Sequence, residues 1–120
     1  MSGLAQSGRL PVGLVVDGVR HQDFELRPPT VGDNVSAALA VGTDNALELA
    51  TAVYARQMTR LGSLPAEKID AQLLLQLNPM DWNAIEVADG ELRKKLLRDG
   101  QHLSGGSPVA PSSPATASAP

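Results

Sequence analysis

His21, Asp23 and Glu25 alternate along a stretch that reads as a β-strand, so their side chains share one face. A His-x-Asp pair of that kind is the nearest approach in the chain to a metal-ligand set. Two or three ligands on one exposed strand leave a coordination shell incomplete, and His102 is the other histidine of the sequence. The expectation is therefore a solvated outer face of a hairpin. A nucleophile–base pair would need His21 or His102 beside a serine, and the serines cluster in the two loose ends of the chain, where geometry is not held. Acid pairs such as Asp17 with Asp23, or Asp70 with Asp81, carry no sequence sign of burial; Asp17 is placed for a turn and Asp70 for a helix cap. Gly13, Gly18, Gly32 and Gly42 never combine with a lysine into a phosphate cradle. The pattern points away from an enzyme, and no cofactor or metal is expected.

Apolar residues that can bind a partner stand out more. Leu73, Leu74, Leu75 and Leu77 cover more than one side of a short helix, so one side stays partly exposed unless something packs on it. Trp82 follows Asn78-Pro79 near a helix start, and tryptophan is over-represented at interface hot spots; core and contact surface are both open to it. Trp82, Leu73, Leu74 and Leu77 are the candidate partner-binding residues. Tyr54 and Met58 fall on a helix stripe, where core packing is the expected role.

Composition sets the class. A chain of 120 residues and 12.5 kDa has room for one domain. Its apolar content of 42% comes from Leu, Val and Ala, with Phe24, Tyr54 and Trp82 the three aromatics. A core of small aliphatics in so short a chain predicts modest stability, raised by a partner. The net charge is −3, and the basic cluster Arg93-Lys94-Lys95 with Arg98 is answered by Glu86, Asp89, Glu91 and Asp99. A solvated helix face is expected there, not a nucleic-acid site. With no cysteine, no signal-peptide core and no apolar run near the roughly 18 residues of a membrane span, a cytoplasmic protein without membrane contact is expected.

The elements that would position these residues follow from local signals. Residues 1–9 read as a flexible terminus, 10–103 as a single α+β domain, and 104–120, uncharged and rich in Ser, Pro and Ala, as a disordered tail. Asp17-Gly18 suits a type I′ turn between two strands, placing Val16 opposite Val19 and Leu14 opposite His21. Phe24 and Leu26 then fall on the other face from His21. Either the second strand carries a bulge near His21-Gln22, which is preferred, or both faces of the hairpin are covered. Thr30 with Asp33 forms a capping box for a helix over 31–40, stopped by Gly42. Asp44 caps a second helix whose stripe Leu47, Ala50, Tyr54, Met58 and Leu61 runs to Gly62. Pro65 opens a short turn, Asp70 caps a two-turn helix ended by Asn78-Pro79, and a last helix over 79–97 aligns Trp82, Ile85, Ala88, Leu92 and Leu96, with a kink or break possible at Asp89-Gly90. The architecture expected is an N-terminal β-hairpin followed by about four α-helices.

Taken in order, several pieces resemble one family. Gly13-Leu14-Val15-Val16-Asp17-Gly18-Val19, then Phe24-Glu25-Leu26-Arg27 and Thr30-x-Gly32-Asp33, are similar to the start of the tail assembly proteins of Mu-like phages. So are Tyr54-Ala55-Arg56-Gln57 running to Leu61-Gly62, Leu64-Pro65 with Ile69-Asp70, Leu73-Leu74 with Leu77, and Asp81 ahead of the final helix. The likeness covers roughly residues 10–97 and leaves out the Ser/Pro/Ala tail. It implies a non-enzymatic tail assembly chaperone that binds the tape measure protein, assists the tail tube protein, works in the host cytoplasm and is absent from the mature virion. An oligomer is compatible with it. Two other classes compete: a small structural tail or baseplate adaptor, and a small regulatory protein that binds nucleic acid through Arg93 to Arg98.

Overall fold

The computed structural model describes residues 4–103. Its first feature is the expected hairpin, β1 (Gln6–Val16) and β2 (Val19–Leu26), turned at Asp17 and Gly18, which both have positive φ (52° and 79°). Val16 pairs with Val19 and Leu14 with His21, as the two-residue turn requires. The tail expected over 104–120 lies outside the described residues.

Two expectations about this hairpin are corrected. Strand structure starts at Gln6, inside the stretch read as flexible, and pairs Gln6 with Leu26 and Gly8 with Phe24. Gly8 looked like a sign of looseness; instead it leaves room for the Phe24 ring, which a Cβ at that position would strike. The irregularity does lie opposite Gln22, but the extra residues belong to β1: pairing jumps from Arg9↔Asp23 to Leu14↔His21, so residues 10–13 face Gln22 alone. Pro11 has no N–H to give a ladder, and Gly13 holds φ +86°, a conformation glycine adopts without strain.

From Leu26 the chain enters α1 (Val31–Val41) through the predicted capping box. The Thr30 hydroxyl accepts the Asp33 N–H at 3.2 Å, and the Asp33 carboxylate accepts the Thr30 N–H at 2.8 Å. Gly42 ends the helix, its N–H donating to the Ala38 carbonyl. Helix α2 (Ala46–Gln57) is capped by Asn45, one residue beyond the expected Asp44.

A third strand, β3 (Met58–Leu61), takes the place of the last turn expected for α2. It pairs antiparallel to β2 and completes a sheet of order β1-β2-β3. Met58 and Leu61 are buried either way, because spacing of three residues fits a helix stripe and a bulged strand equally. The open edge of β2 decides it: a strand satisfies that row of backbone groups and a helix does not. After a single 3-10 turn at Ala66–Lys68 come α3 (Ala71–Leu74), capped by Asp70, and α4 (Pro79–Leu103). Helix α3 has one turn where two were expected, and α4 runs through Gly90 without a break.

Helix α4 lies along β1, and α1 packs on α2. The core gathers Leu10, Leu14, Phe24, Leu26, Met58, Leu61, Leu74, Ile85 and Leu92. His21 departs from the expected solvated face: it is buried, its ring against Gly62 and its Nδ1 accepting the Ser63 N–H at 3.2 Å. Both faces of the hairpin are thus covered at this point, the option set second to the bulge; the structure has both.

Candidate functional site

Leucine-rich α3 sits where α2 and the start of α4 diverge, and the gap between the three elements is an open hollow of about 270 Å³. Leu47 and Thr51 of α2, Leu74 of α3, Leu77, Pro79 and Trp82 form most of its wall. Asp70 starts α3 by accepting the Leu73 N–H at 2.9 Å. Asn78 then caps the next turn by accepting the Met80 N–H at 2.9 Å, and Pro79 fits the first helical position, where no N–H is needed. These two caps force the tight reversal that aligns Leu74, Leu77 and Trp82.

Trp82 is half-buried and held edge-to-face by Tyr54, with ring centroids 5.1 Å apart and planes at 62°. Such pairs prefer this geometry because the ring edge is positive and its face negative. Tyr54 also lines a second hollow, of about 280 Å³, with Leu49, Val53, Gln57 and Arg93. The phenol is pushed up to about 12 by burial first, then by the neighbouring Asp89 and Glu86 carboxylates.

Behind the rings lies a polar anchor. Asp89, buried, accepts the Arg93 Nε–H at 2.8 Å and the Gln57 amide at 3.2 Å, and Gln57 also donates to the Arg27 carbonyl at 3.2 Å. This joins α2, the end of β2 and α4, so the walls of both hollows are fixed relative to one another. Asp89 therefore does more than balance a basic cluster on a solvated helix. Lys94 with Glu91 at 3.4 Å is the exposed pair of the kind expected there.

The four residues singled out in the sequence do not share one role. Leu74 is buried at the floor of the hollow and belongs to the core; Leu77 and Trp82 form its wall; Leu73 packs partly buried against the core and does not line it. The outward apolar surface comes from residues not singled out. Leu47 is 62% exposed and Leu75 is 47% exposed, and both line the hollow; Met80, close by in sequence, is 56% exposed. Leu47 was expected in the buried stripe of α2. It lies in the first turn of α2 and is left uncovered. The expected exposed side of the leucine cluster is Leu75.

The residues weighed for chemistry are dispersed. Asp23 pairs with Arg9 at 2.9 Å on the surface, and Glu25 accepts the Thr59 hydroxyl at 3.0 Å. Among the described residues no three His, Cys, Asp or Glu side chains converge on a metal position. Asp81 corrects the expectation of exposure: it is fully buried, and its two oxygens accept the N–H groups of Val12 and Gly13. Among the described residues no helix is long and apolar enough to cross a membrane.

No family model matches the sequence, no curated protein matches it, and no solved structure matches the fold.

Proposed function

We propose that this chain is a tail assembly chaperone of a Mu-like phage or prophage, which shelters an apolar helix of the tape measure protein and assists the tail tube protein without catalysing a reaction. The resemblance in sequence supplies the client. The observation that supports the binding mode is the open hollow lined by Leu47, Leu75, Leu77 and Trp82, with no charged side chain among its lining residues.

An amphipathic helix laid over this opening would insert one or two large apolar side chains, the helix-in-groove mode. Each such side chain contributes about 1.5–3 kcal/mol when fully buried. One or two such anchors are of the order of the lowest estimates of the cost of association, about 4 kcal/mol, so the hold on the client is weak and it is released again. A carrier that leaves before the particle is finished needs that balance.

Co-expression with a tape measure protein of a Mu-like phage tests this reading. The expected result is a larger soluble fraction of the client and co-purification of the two. Neither effect appearing would sink it. Recovery of the chain at stoichiometric copy number from purified particles would favour a structural adaptor instead.

A further inference from the structure

Trp82 and Arg93 both belong to α4, and their separation in sequence, at about 100° per residue, brings them within about 20° of one face. Each lines one of the two hollows, so the openings lie in a row along this face, about 17 Å apart. Tyr54 lines the one and Trp82 the other, so their ring contact is the rim between them. One turn beyond Arg93 the same face carries Leu97, an apolar side chain 68% exposed. Its charged residues are Glu86, Asp89 and Arg93, the last two paired at 2.8 Å.

The sequence after α4 carries a period that fits this row. Pro108, Pro111, Pro114 and Pro120 are spaced by multiples of three, and Ala117 fills the one place of the series that is not proline. Polyproline II has three residues per turn, so such a series forms a single edge, and Pro114 to Pro120 spans about 19 Å of it. That is close to the separation of the hollows, and small Ala117 falls midway, where the ring pair rises. Ser104-Gly105-Gly106-Ser107 supplies a place for the chain to reverse. Back along α4 from Leu103, Leu97, Arg93 and Trp82 lie at about 9, 15 and 32 Å. From Pro108, Pro111, Pro114 and Pro120 lie at about 9, 19 and 37 Å in polyproline II. The segment is uncharged, so it meets no like charge at Glu86 or Arg93.

We propose that residues 108–120 fold back along α4 of the same chain and dock in this row as a polyproline II segment, with Pro111 at Leu97, Pro114 in the hollow at Arg93 and Pro120 in the hollow at Trp82. Proline-rich segments are held in this way by aromatic-lined grooves. Such a segment leaves its carbonyls without internal partners. Arg93 gives Asp89 its Nε–H, which leaves its outer N–H groups to donate to them. The tether keeps the segment at an effective concentration of the order of mM, so contacts too weak for a free peptide suffice. Pro120 then occupies the opening proposed for the client, which must displace it. That consequence rests on the client reading, whereas the docking needs only this chain.

The chain has no cysteine and one tryptophan, so a spin label on Ala119→Cys and the Trp82 indole N–H signal in NMR spectra are both unambiguous. In the full chain this label is expected to remove most of the indole signal. The same label on Val109→Cys should take far less of it and broaden the Leu97 methyl signals instead. Pro114→Gly together with Pro120→Gly should restore the indole signal in the Ala119→Cys chain, because the edge that fits the hollows is gone. An undiminished indole signal with the Ala119→Cys label would overturn the proposal. So would equal losses from the two label positions, or a loss that persists without the two prolines. Loss passed from a spin-labelled chain to a separate isotope-labelled one would place the contact between copies and overturn it too. No client enters this measurement, so its failure leaves the client reading standing.

Discussion

Asp81 clamps Gly13: its Oδ2 accepts the Gly13 N–H at 2.9 Å while its Oδ1 takes the neighbouring Val12 N–H at 2.8 Å. The extra residues of β1 thus find their donors' partner in the first turn of α4. Their carbonyls are met from β2, by the Arg20 guanidinium on Val12 at 2.7 Å and the Gln22 amide on Leu10 at 3.1 Å. Replacing Asp81 with Ala strands two N–H groups and should cost about 2–4 kcal/mol. Asp81→Asn keeps one acceptor oxygen and should fall between. Urea unfolding followed by circular dichroism measures both; an unchanged midpoint for Asp81→Ala would contradict the clamp.

Acid should loosen the start of α1. The Arg27 guanidinium grips Asp33 through two hydrogen bonds, 2.7 and 2.9 Å, and the Thr30 N–H adds a third. Together they hold the carboxyl down at about 2, below its ordinary 3.8, against the opposing effect of burial. The folded value is the lower one, so the stabilisation is fully present above the unfolded pKa and is lost as pH falls from about 4 through 2. It amounts to about 2 kcal/mol. Stability measured across that window should drop less steeply in Asp33→Asn, which starts lower at neutral pH.

Gly62 and Gly42 both have positive φ, 58° and 82°, but their surroundings differ. A Cβ at Gly62 would run into the His21 ring, whereas at Gly42 nothing lies within 4 Å. Gly42→Ala should cost about 1–3 kcal/mol for backbone strain alone, since its ψ of −176° lies in a region that side chains rarely enter. Gly62→Ala should cost clearly more, and equal thermal shifts would show that His21 is not packed as described.

Tyr54 is the one tyrosine of the chain, so its ionisation is readable by absorbance without overlap from another. The midpoint should lie near 12, and return to about 10 in urea. Folding favours the neutral phenol here, so this contribution is complete below the unfolded value and vanishes as pH climbs from about 10 to 12. A native midpoint near 10 would mean that the ring is not shielded by Trp82 and Asp89.

Leu75→Glu places a charge at the lip of the hollow. Because Leu75 is exposed, unfolding should shift by no more than about 0.5 kcal/mol. Solubilisation of the tape measure protein should nevertheless be lost. Retained solubilisation would move the contact to another surface.

Much of the fold was readable from local chemistry. Asp17-Gly18, the Thr30–Asp33 box, Gly42 and the Asp70 cap each dictate backbone geometry within four residues, and each is found where expected. What escaped was decided at a distance. Residues 58–61 carry a pattern that suits helix or strand, and the unpaired edge of β2 chose between them. The burial of Asp81 and His21 depends on partners 68 and 42 residues away, which no spacing rule reaches. The same holds for the hollow. Trp82, Leu74 and Leu77 were visible as a leucine-rich turn next to a tryptophan, but Leu47 keeps the spacing of the α2 stripe and is nevertheless exposed at the opening, which spacing alone does not reveal.

The clamp between β1 and α4 also bears on how the chain leaves the ribosome. The first strand is synthesised early, yet its irregular middle has no partner for two of its N–H groups until residue 81 has emerged. Contacts this far apart in sequence slow folding because the intervening loop must close first. A nascent chain cut short before Pro79 lacks the helix that lies along β1, so its hairpin is expected to fray around Leu10 and Leu14 until that helix has been made.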